Sequence, residues 1–329
     1  MRDQFSNPSD NTGVQRTTLT GMLLSGATVP MLLLGVASVV AGSAAAALRG
    51  NLEILPATLC LFFAIFFQVA GTYWHFYIEL KRISHSEDID DAVRDEVTEG
   101  LPRTVVLREA AFAFLLLGVT VGLAILVMSG VWSLSVAIVL AAIVYLTFGG
   151  PRPLAHSPWG VLCTFLLFGP VGVIGTCLVQ SGQEASSLLT YYDIEPSLYL
   201  SVVMGLMAVN CNIYKNMIRI SSDRVQGRRT LPMAVGPGVA RMIFVANGFL
   251  WTTVLAWLSV VQNFNIWVTL AVPVLSLGVN LWLSMKLPEA VHKPGLQFAV
   301  NLNMLFLALM VFVISVAYGA ADDSARFIF

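Results

Sequence analysis

The chain has 329 residues, 57% of them hydrophobic and only 11% charged, with a net charge of −1 and a mean hydropathy of +0.79. A soluble domain carries roughly 25% charged residues. A soluble enzyme, a disordered chain and a fibrous protein are thereby excluded, and a polytopic protein of the lipid bilayer remains. The near balance of 18 Lys and Arg against 19 Asp and Glu gives no reason to expect nucleic acid as a partner.

Taken in chain order, residues 1–18 form a polar tail and residues 19–329 one transmembrane domain. The polar start and the long apolar run after it do not read as a cleavable signal peptide. A spanning helix needs about 20 mostly apolar residues. The segments that meet or approach this are 19–48, 54–79, 105–129, 132–148, 160–181, 198–218, 241–261, 266–285 and 296–319. The expectation is an all-α polytopic membrane protein, about nine transmembrane helices around a central cavity. The fourth segment is short, and Gly149–Gly150–Pro151 stops it. All Lys and Arg except Arg49 and Arg326 fall in alternate connections. That asymmetry predicts a cytoplasmic N-terminus and an odd number of spans.

Cys60, Cys163, Cys177 and Cys211 all sit in apolar stretches and read as small core residues. The seven tryptophans lie mostly near predicted span ends, as interfacial anchors do. Asn301 and Asn303 are expected to bond to neighbouring helices, and Pro273 to kink its helix.

Two connections carry most of the charge. The one after the second segment holds nine of the 19 carboxylates, including the run from Glu87 to Glu99, which reads either as a lid or as a solvated acidic helix. The one after the sixth is basic, with Asp223 as its acid. Asn212, Asn216, Arg219 and Asp223 are spaced 4, 3 and 4, one stripe of a helix, with Lys215 beside them. Two readings follow from these residues. One is a solvated helix end with an Arg219–Asp223 pair. The other is a pocket for a phosphorylated, lipid-like substrate, with arginines supplying the charge that phosphate oxygens require. In the second segment Gln68, Thr72, His75 and Glu79 form a similar stripe. His75–Glu79 reads as an acid/base pair or as a satisfied polar pair lining the same cavity.

The segment DRVQGRRTL, Asp223 to Leu231, resembles the second signature of the UbiA-type intramembrane prenyltransferases. YLTFGGPRPLAHSPWG, Tyr145 to Gly160, and the following Phe168–Gly169–Pro170 helix resemble the 1,4-dihydroxy-2-naphthoate polyprenyltransferase branch. The resemblance runs from about Thr17 to Gly319. It implies that Mg²⁺, held by two Asp-rich motifs, binds the diphosphate of a polyprenyl donor, and that the allylic cation attacks an aromatic, quinone-type acceptor. In the naphthoate branch loss of a carboxylate accompanies the transfer. The implied location is an integral protein of a bacterial inner (cytoplasmic) membrane.

Carried over residue by residue, the resemblance places Asp223, Glu79, Asn216 and His75 in catalysis, with Asp223 and Glu79 as the metal ligands. It places Lys215, Arg219, Arg224 and Arg228 on the diphosphate, and Asn212, Gly149, Gly150, Pro151 and His156 in the acceptor pocket. The motifs are degenerate. The family pattern Asn-x-x-Asn-Asp-x-x-Asp falls here on Thr72, His75, Phe76 and Glu79. In the second motif an Asn position is Lys215 and the first Asp position is Arg219. In the loop after the fourth segment, positions usually Tyr and Glu are His156 and Val161. Phe76 offers Mg²⁺ no oxygen and Arg219 repels it, so a family-type metal arrangement is doubtful. Three readings stay open: a prenyltransferase with a reduced metal site; one in which cations grip the diphosphate directly; or a non-catalytic relative that binds an isoprenoid or quinone, or serves a membrane partner as a subunit.

Overall fold

The computed structural model describes residues 29–84, 104–148, 153–181, 191–225 and 227–286. The N-terminal tail, the acidic run, Gly149, Gly150, Pro151, the ninth predicted segment with Asn301 and Asn303, and Arg326 lie outside the described residues.

The described chain is helical throughout. Its elements are α1 (Val29–Ala47), α2 (Ile54–Ser84), α3 (Thr104–Ser129), α4 (Val131–Phe148), α5 (Gly160–Ser181), α6 (Tyr191–Ile218), α7 (Ile220–Val225), α8 (Leu231–Val235), α9 (Pro237–Val261) and α10 (Ile266–Lys286), with a short 3₁₀ turn at Leu154–His156. Five of these contain a stretch long and apolar enough to cross a bilayer: Ile54–Ile78, Thr104–Ser129, Gly160–Ser181, Glu195–Ile218 and Pro237–Val261. The chain is thus an integral membrane protein with several spanning helices.

The expected nine spans are corrected by this count, which among the described residues is five. The apolar part of α4, Trp132–Thr147, is shorter. At 1.5 Å per residue it reaches about 24 Å, less than the roughly 30 Å hydrocarbon core. Residues 19–28 of the first expected segment lie outside the described residues. A turn at Leu48–Gly50 ends α1, and Gly130, at φ 71°, separates α3 from α4.

Large apolar side chains face outward, as a lipid-facing surface requires: Val127 is 86% exposed and Leu116 68%. The main core joins α1, α5, α6 and α9, with Tyr214, Phe244, Leu34 and Leu200 among its fully buried side chains. Trp251 belongs to this core, 2% exposed, and is not an interfacial anchor; Trp159 and Trp257 are exposed. Cys60, Cys163 and Cys177 are buried and Cys211 partly so, all as free thiols.

With lipid outside, helices gain by packing backbone to backbone through small residues. A Cβ on Gly42 of α1 meets the Val173 carbonyl of α5 at 2.6 Å, and one on Gly169 of α5 meets the Ser201 carbonyl of α6 at 2.5 Å. The middle of α5, Leu167–Ile174, widens into a π-helical stretch around Pro170. Proline lacks an N–H and its ring crowds the carbonyl four residues back, so the wider turn relieves the clash. Gly169 and Gly172 on either side let this distorted stretch press against α6 and Ser38 of α1.

Gly169→Val is expected to destabilise the protein by about 1–3 kcal/mol, because the new atoms meet backbone that cannot move aside. Gly238→Ala, where no atom lies within 4 Å of the new Cβ, is the control and should leave the melting temperature in detergent unchanged or raised.

Candidate functional site

A cavity of about 360 Å³ lies between α1, α2, α3, α4 and α5 and reaches the C-terminal end of α6. Along α2 it is lined from Cys60 to Phe76, sixteen residues on, or about 24 Å at 1.5 Å per residue. Val39, Cys60, Ile125 and Val179 pack on one another and line one end. The walls are apolar: Phe63, Ala64 and Phe67 from α2, Leu140 and Val144 from α4, and Leu167, Phe168 and Val171 from the π-helical stretch of α5. The other end is polar and carries His75 of α2 and Lys215 and Arg219 of α6 and its exit.

Lys215 and Arg219 stand one helical turn apart and are both half-buried. Among the described residues lining the cavity there is no Asp or Glu. The cavity is therefore apolar along most of its length and cationic at one end.

Asn216 donates to the side-chain oxygen of Asn212 at 2.6 Å, Asn212 donates to the Thr164 hydroxyl at 2.8 Å, and Thr164 donates to the Gly160 carbonyl at 2.9 Å. Thr164 lines the cavity. The two asparagines thus form a relay that fixes a cavity hydroxyl and locks α6 to α5.

Asp223 points elsewhere. It is 2% exposed. Its Oδ1 stands 3.6 Å from Nη1 of Arg228, and the Thr230 hydroxyl donates to its Oδ2 at 3.5 Å. The partner is Arg228, not Arg219 as the spacing suggests. Gly227 explains this. Its φ of 66° lies in the left-handed region open to glycine, and it reverses the chain after α7. The Arg228 amide then bonds back to the Asp223 carbonyl at 2.9 Å. The glycine and the basic residue of DRVQGRRTL are thus partners of the acid within the motif. The next amide, Arg229, donates to the His156 carbonyl at 3.0 Å. That bond ties the 3₁₀ turn after α4 to the basic loop, so the two signature segments meet.

Of the sequence candidates, the structure brings His75, Lys215 and Arg219 together on the cavity. It sets Asn212 and Asn216 behind it through Thr164. Arg228 is spent on Asp223, and Arg224 is exposed. His156 is half-buried and acts here through its backbone. Glu79 lies on α2 one turn beyond His75, and its side chain is outside the described residues. Gly149, Gly150 and Pro151 are outside as well. Sequence reasoning missed Thr164, whose only signal is being a hydroxyl in an apolar helix opposite an Asn stripe. It also missed the wall made by the π-helical stretch, for which Pro170 is the signal.

The fold is that of a helical membrane protein with a cavity that is apolar along most of its length and cationic at one end. The chain belongs to the UbiA prenyltransferase family, whose model matches residues 35–298. It is 27% identical over 221 residues to the 1,4-dihydroxy-2-naphthoate octaprenyltransferase of Mycobacterium tuberculosis, covering 67% of this chain and 72% of that one. It is 25% identical over 257 residues to the enzyme of the same name from Bacillus subtilis, covering 76% of each. Its fold matches that of a UbiA homologue from Aeropyrum pernix K1, with a TM-score of 0.65 at 17% identity over 86% of this chain and 97% of that one. It also matches a UbiA homologue from Archaeoglobus fulgidus bound to DMAPP and Mg²⁺, with a TM-score of 0.55 at 13% identity over 89% of this chain and 97% of that one.

The described residues do not make up a Mg²⁺ site of the kind the family implies. Magnesium takes oxygen ligands, carboxylates foremost. Phe76 and Arg219 stand on the cavity where two acids are expected, and Asp223 is turned to Arg228. Among the described residues there is no group of three or more His, Cys, Asp or Glu able to hold a metal.

The Asp223–Arg228 pair yields a stability prediction. Asp223→Asn leaves a buried guanidinium uncompensated and should cost about 3–5 kcal/mol in thermal unfolding. The double variant Asp223→Asn/Arg228→Met should recover much of that loss. Equal loss in both would mean that the carboxylate acts through another partner.

Proposed function

We propose that the protein transfers a polyprenyl group from its diphosphate to an aromatic acceptor of the dihydroxynaphthoate type, a step of quinone synthesis in a bacterial inner membrane. The observation that carries this reading is the partition of the cavity, apolar along most of its length and cationic at one end. The apolar tube suits an isoprenoid tail, and Lys215 and Arg219 suit the diphosphate. The names of the mycobacterial and Bacillus relatives support the acceptor class.

In the proposed reaction the bond between the allylic carbon and the diphosphate oxygen breaks, and both electrons leave with the oxygen. Lys215 and Arg219 stabilise the departing charge. Phe63, Phe67 and Phe168 shelter the allylic carbocation from water and hold the tail. A carbon–carbon bond then forms to the electron-rich ring, and the ring sheds a proton or its carboxyl group as CO₂. His75, at the same end of the cavity, takes the hydroxyl proton of the acceptor. Asn212 and Asn216 hold Thr164 in place against the bound pair.

A second reading is favoured by one observation: Phe76 and Arg219 occupy positions that are acids in the family. On that reading the protein holds an isoprenoid or quinone without turning it over.

Purified protein given octaprenyl diphosphate and dihydroxynaphthoate distinguishes the two. Prenylated product supports the transferase; retained isoprenoid binding with no product across several phenolic acceptors supports the binder. If it is a transferase, Ala64→Phe, which fills the middle of the tube, should shift donor preference from octaprenyl to geranyl diphosphate by about tenfold or more, since about 1.4 kcal/mol of lost packing corresponds to that ratio. Unchanged preference would place the tail elsewhere.

A further inference from the structure

We propose that the side-chain amide of Gln68 anchors the aromatic acceptor by a hydrogen bond to one of its ring hydroxyls. The inference deepens the proposed function and rests on its assignment of an aromatic acceptor to this cavity.

Gln68 is a polar side chain on an apolar part of the wall. It lines the cavity from the same helix as Phe63, Ala64 and Phe67. Its Oε1 is buried and has no hydrogen-bond partner among the described residues. The hydroxyls of the wall differ in this respect. Ser38, Ser133, Thr147, Thr164 and Thr176 each donate their proton to a carbonyl three or four residues back, at 2.6–3.0 Å. Burying an amide among hydrocarbon without a partner is unfavourable, and native interiors rarely leave such a group unmet. A molecule in the cavity is placed to meet it.

The backbone of α1 leaves room for the amide. A Cβ on Gly35 would meet Gln68 Nε2 at 2.7 Å and Cδ at 2.9 Å. Gly35 itself lines the cavity, so the amide sits in a notch that a side chain in place of Gly35 would fill. A primary amide carries N–H donors and a carbonyl acceptor, and it meets a hydroxyl in either sense.

Depth selects the group that reaches it. Gln68 stands two turns before His75 on one face of α2, about 10 Å along the helix from the polar end. A diphosphate seated beside Lys215 and Arg219 leaves Gln68 to the neutral part of the substrates. The isoprenoid tail carries no polar atom, so the group that meets the amide belongs to the acceptor. A ring hydroxyl is neutral, as this apolar depth requires.

The test is binding to the full-length protein in nanodiscs, measured by calorimetry with and without inorganic pyrophosphate, so that it does not depend on turnover. The probes are 1,4-dihydroxy-2-naphthoate and the two analogues that each lack one hydroxyl, 1-hydroxy-2-naphthoate and 4-hydroxy-2-naphthoate. Octaprenyl diphosphate is the reference ligand. Gln68→Leu should weaken dihydroxynaphthoate about tenfold, the ratio that corresponds to a hydrogen bond of about 1.4 kcal/mol, and change octaprenyl diphosphate by less than about twofold. One of the two analogues should already bind the unaltered protein about tenfold more weakly and lose nothing further in Gln68→Leu, a non-additivity that a direct contact gives and a purely structural role does not. Gly35→Ala should likewise act on the acceptor alone, because its methyl meets the flexible end of Gln68 and no backbone. Unchanged acceptor affinity in Gln68→Leu, the result if the amide holds only a water, overturns the inference. So does an equal loss for acceptor and donor, an equal loss for all three aromatic probes, or no binding of any of them to the unaltered protein. The two claims fail separately. Coupled loss of acceptor binding, with no product from donor and acceptor together, removes the transferase and leaves the anchor. Product formed with the same KM for the acceptor in the unaltered protein and in Gln68→Leu removes the anchor and leaves the transferase.

Discussion

Two positive charges at the mouth of an apolar cavity, with no described carboxylate on its walls, are the constraint around which the rest of this molecule is arranged. A cation held partly out of water in a membrane is costly and needs a compensating anion. Within the motif, Gly227 turns the chain so that Arg228 meets Asp223, and the same loop bonds to the 3₁₀ turn at His156. Lys215 and Arg219 face the cavity.

The apolar half of the cavity depends on different physics. Its walls are placed by close helix contacts through Gly42, Gly169 and Gly172, and by a π-helical stretch that Pro170 imposes on α5. That stretch turns Leu167, Phe168 and Val171 toward the cavity. Val39, Cys60, Ile125 and Val179 pack together at the far end. On the proposed function, packing sets the tail length and charge the recognition of the head group. Family membership fixes the shape of the container. The residues at its mouth decide what chemistry takes place there.

Much of the fold was legible in the sequence because lipid imposes a simple rule of long apolar runs. The apolar part of α4, Trp132–Thr147, is too short for the full hydrocarbon core. The stripe Asn212, Asn216, Arg219 and Asp223 is interrupted between its second and third members, because α6 ends at Ile218. Arg219 and Asp223 still stand one turn apart, the Asp223 amide donating to the Arg219 carbonyl at 2.7 Å. The expected Arg219–Asp223 pair gives way to Asp223–Arg228 because the chain reverses at Gly227. Thr164 was invisible because one threonine in an apolar helix carries no periodic signal. Its role emerges only when Asn212 is seen to bond to it across two helices. Trp251 lies in the middle of α9 and belongs to the main core, away from the helix ends where anchors sit.

The most direct measurement is a cryo-electron microscopy structure of the protein in nanodiscs with farnesyl thiodiphosphate, a donor analogue that resists cleavage. The account predicts the tail between Phe63, Phe67 and Phe168 and the diphosphate at the end of the cavity that carries Lys215 and Arg219, with Asp223 still paired to Arg228. A tail seated outside this cavity, or a diphosphate bound away from that end, would contradict it.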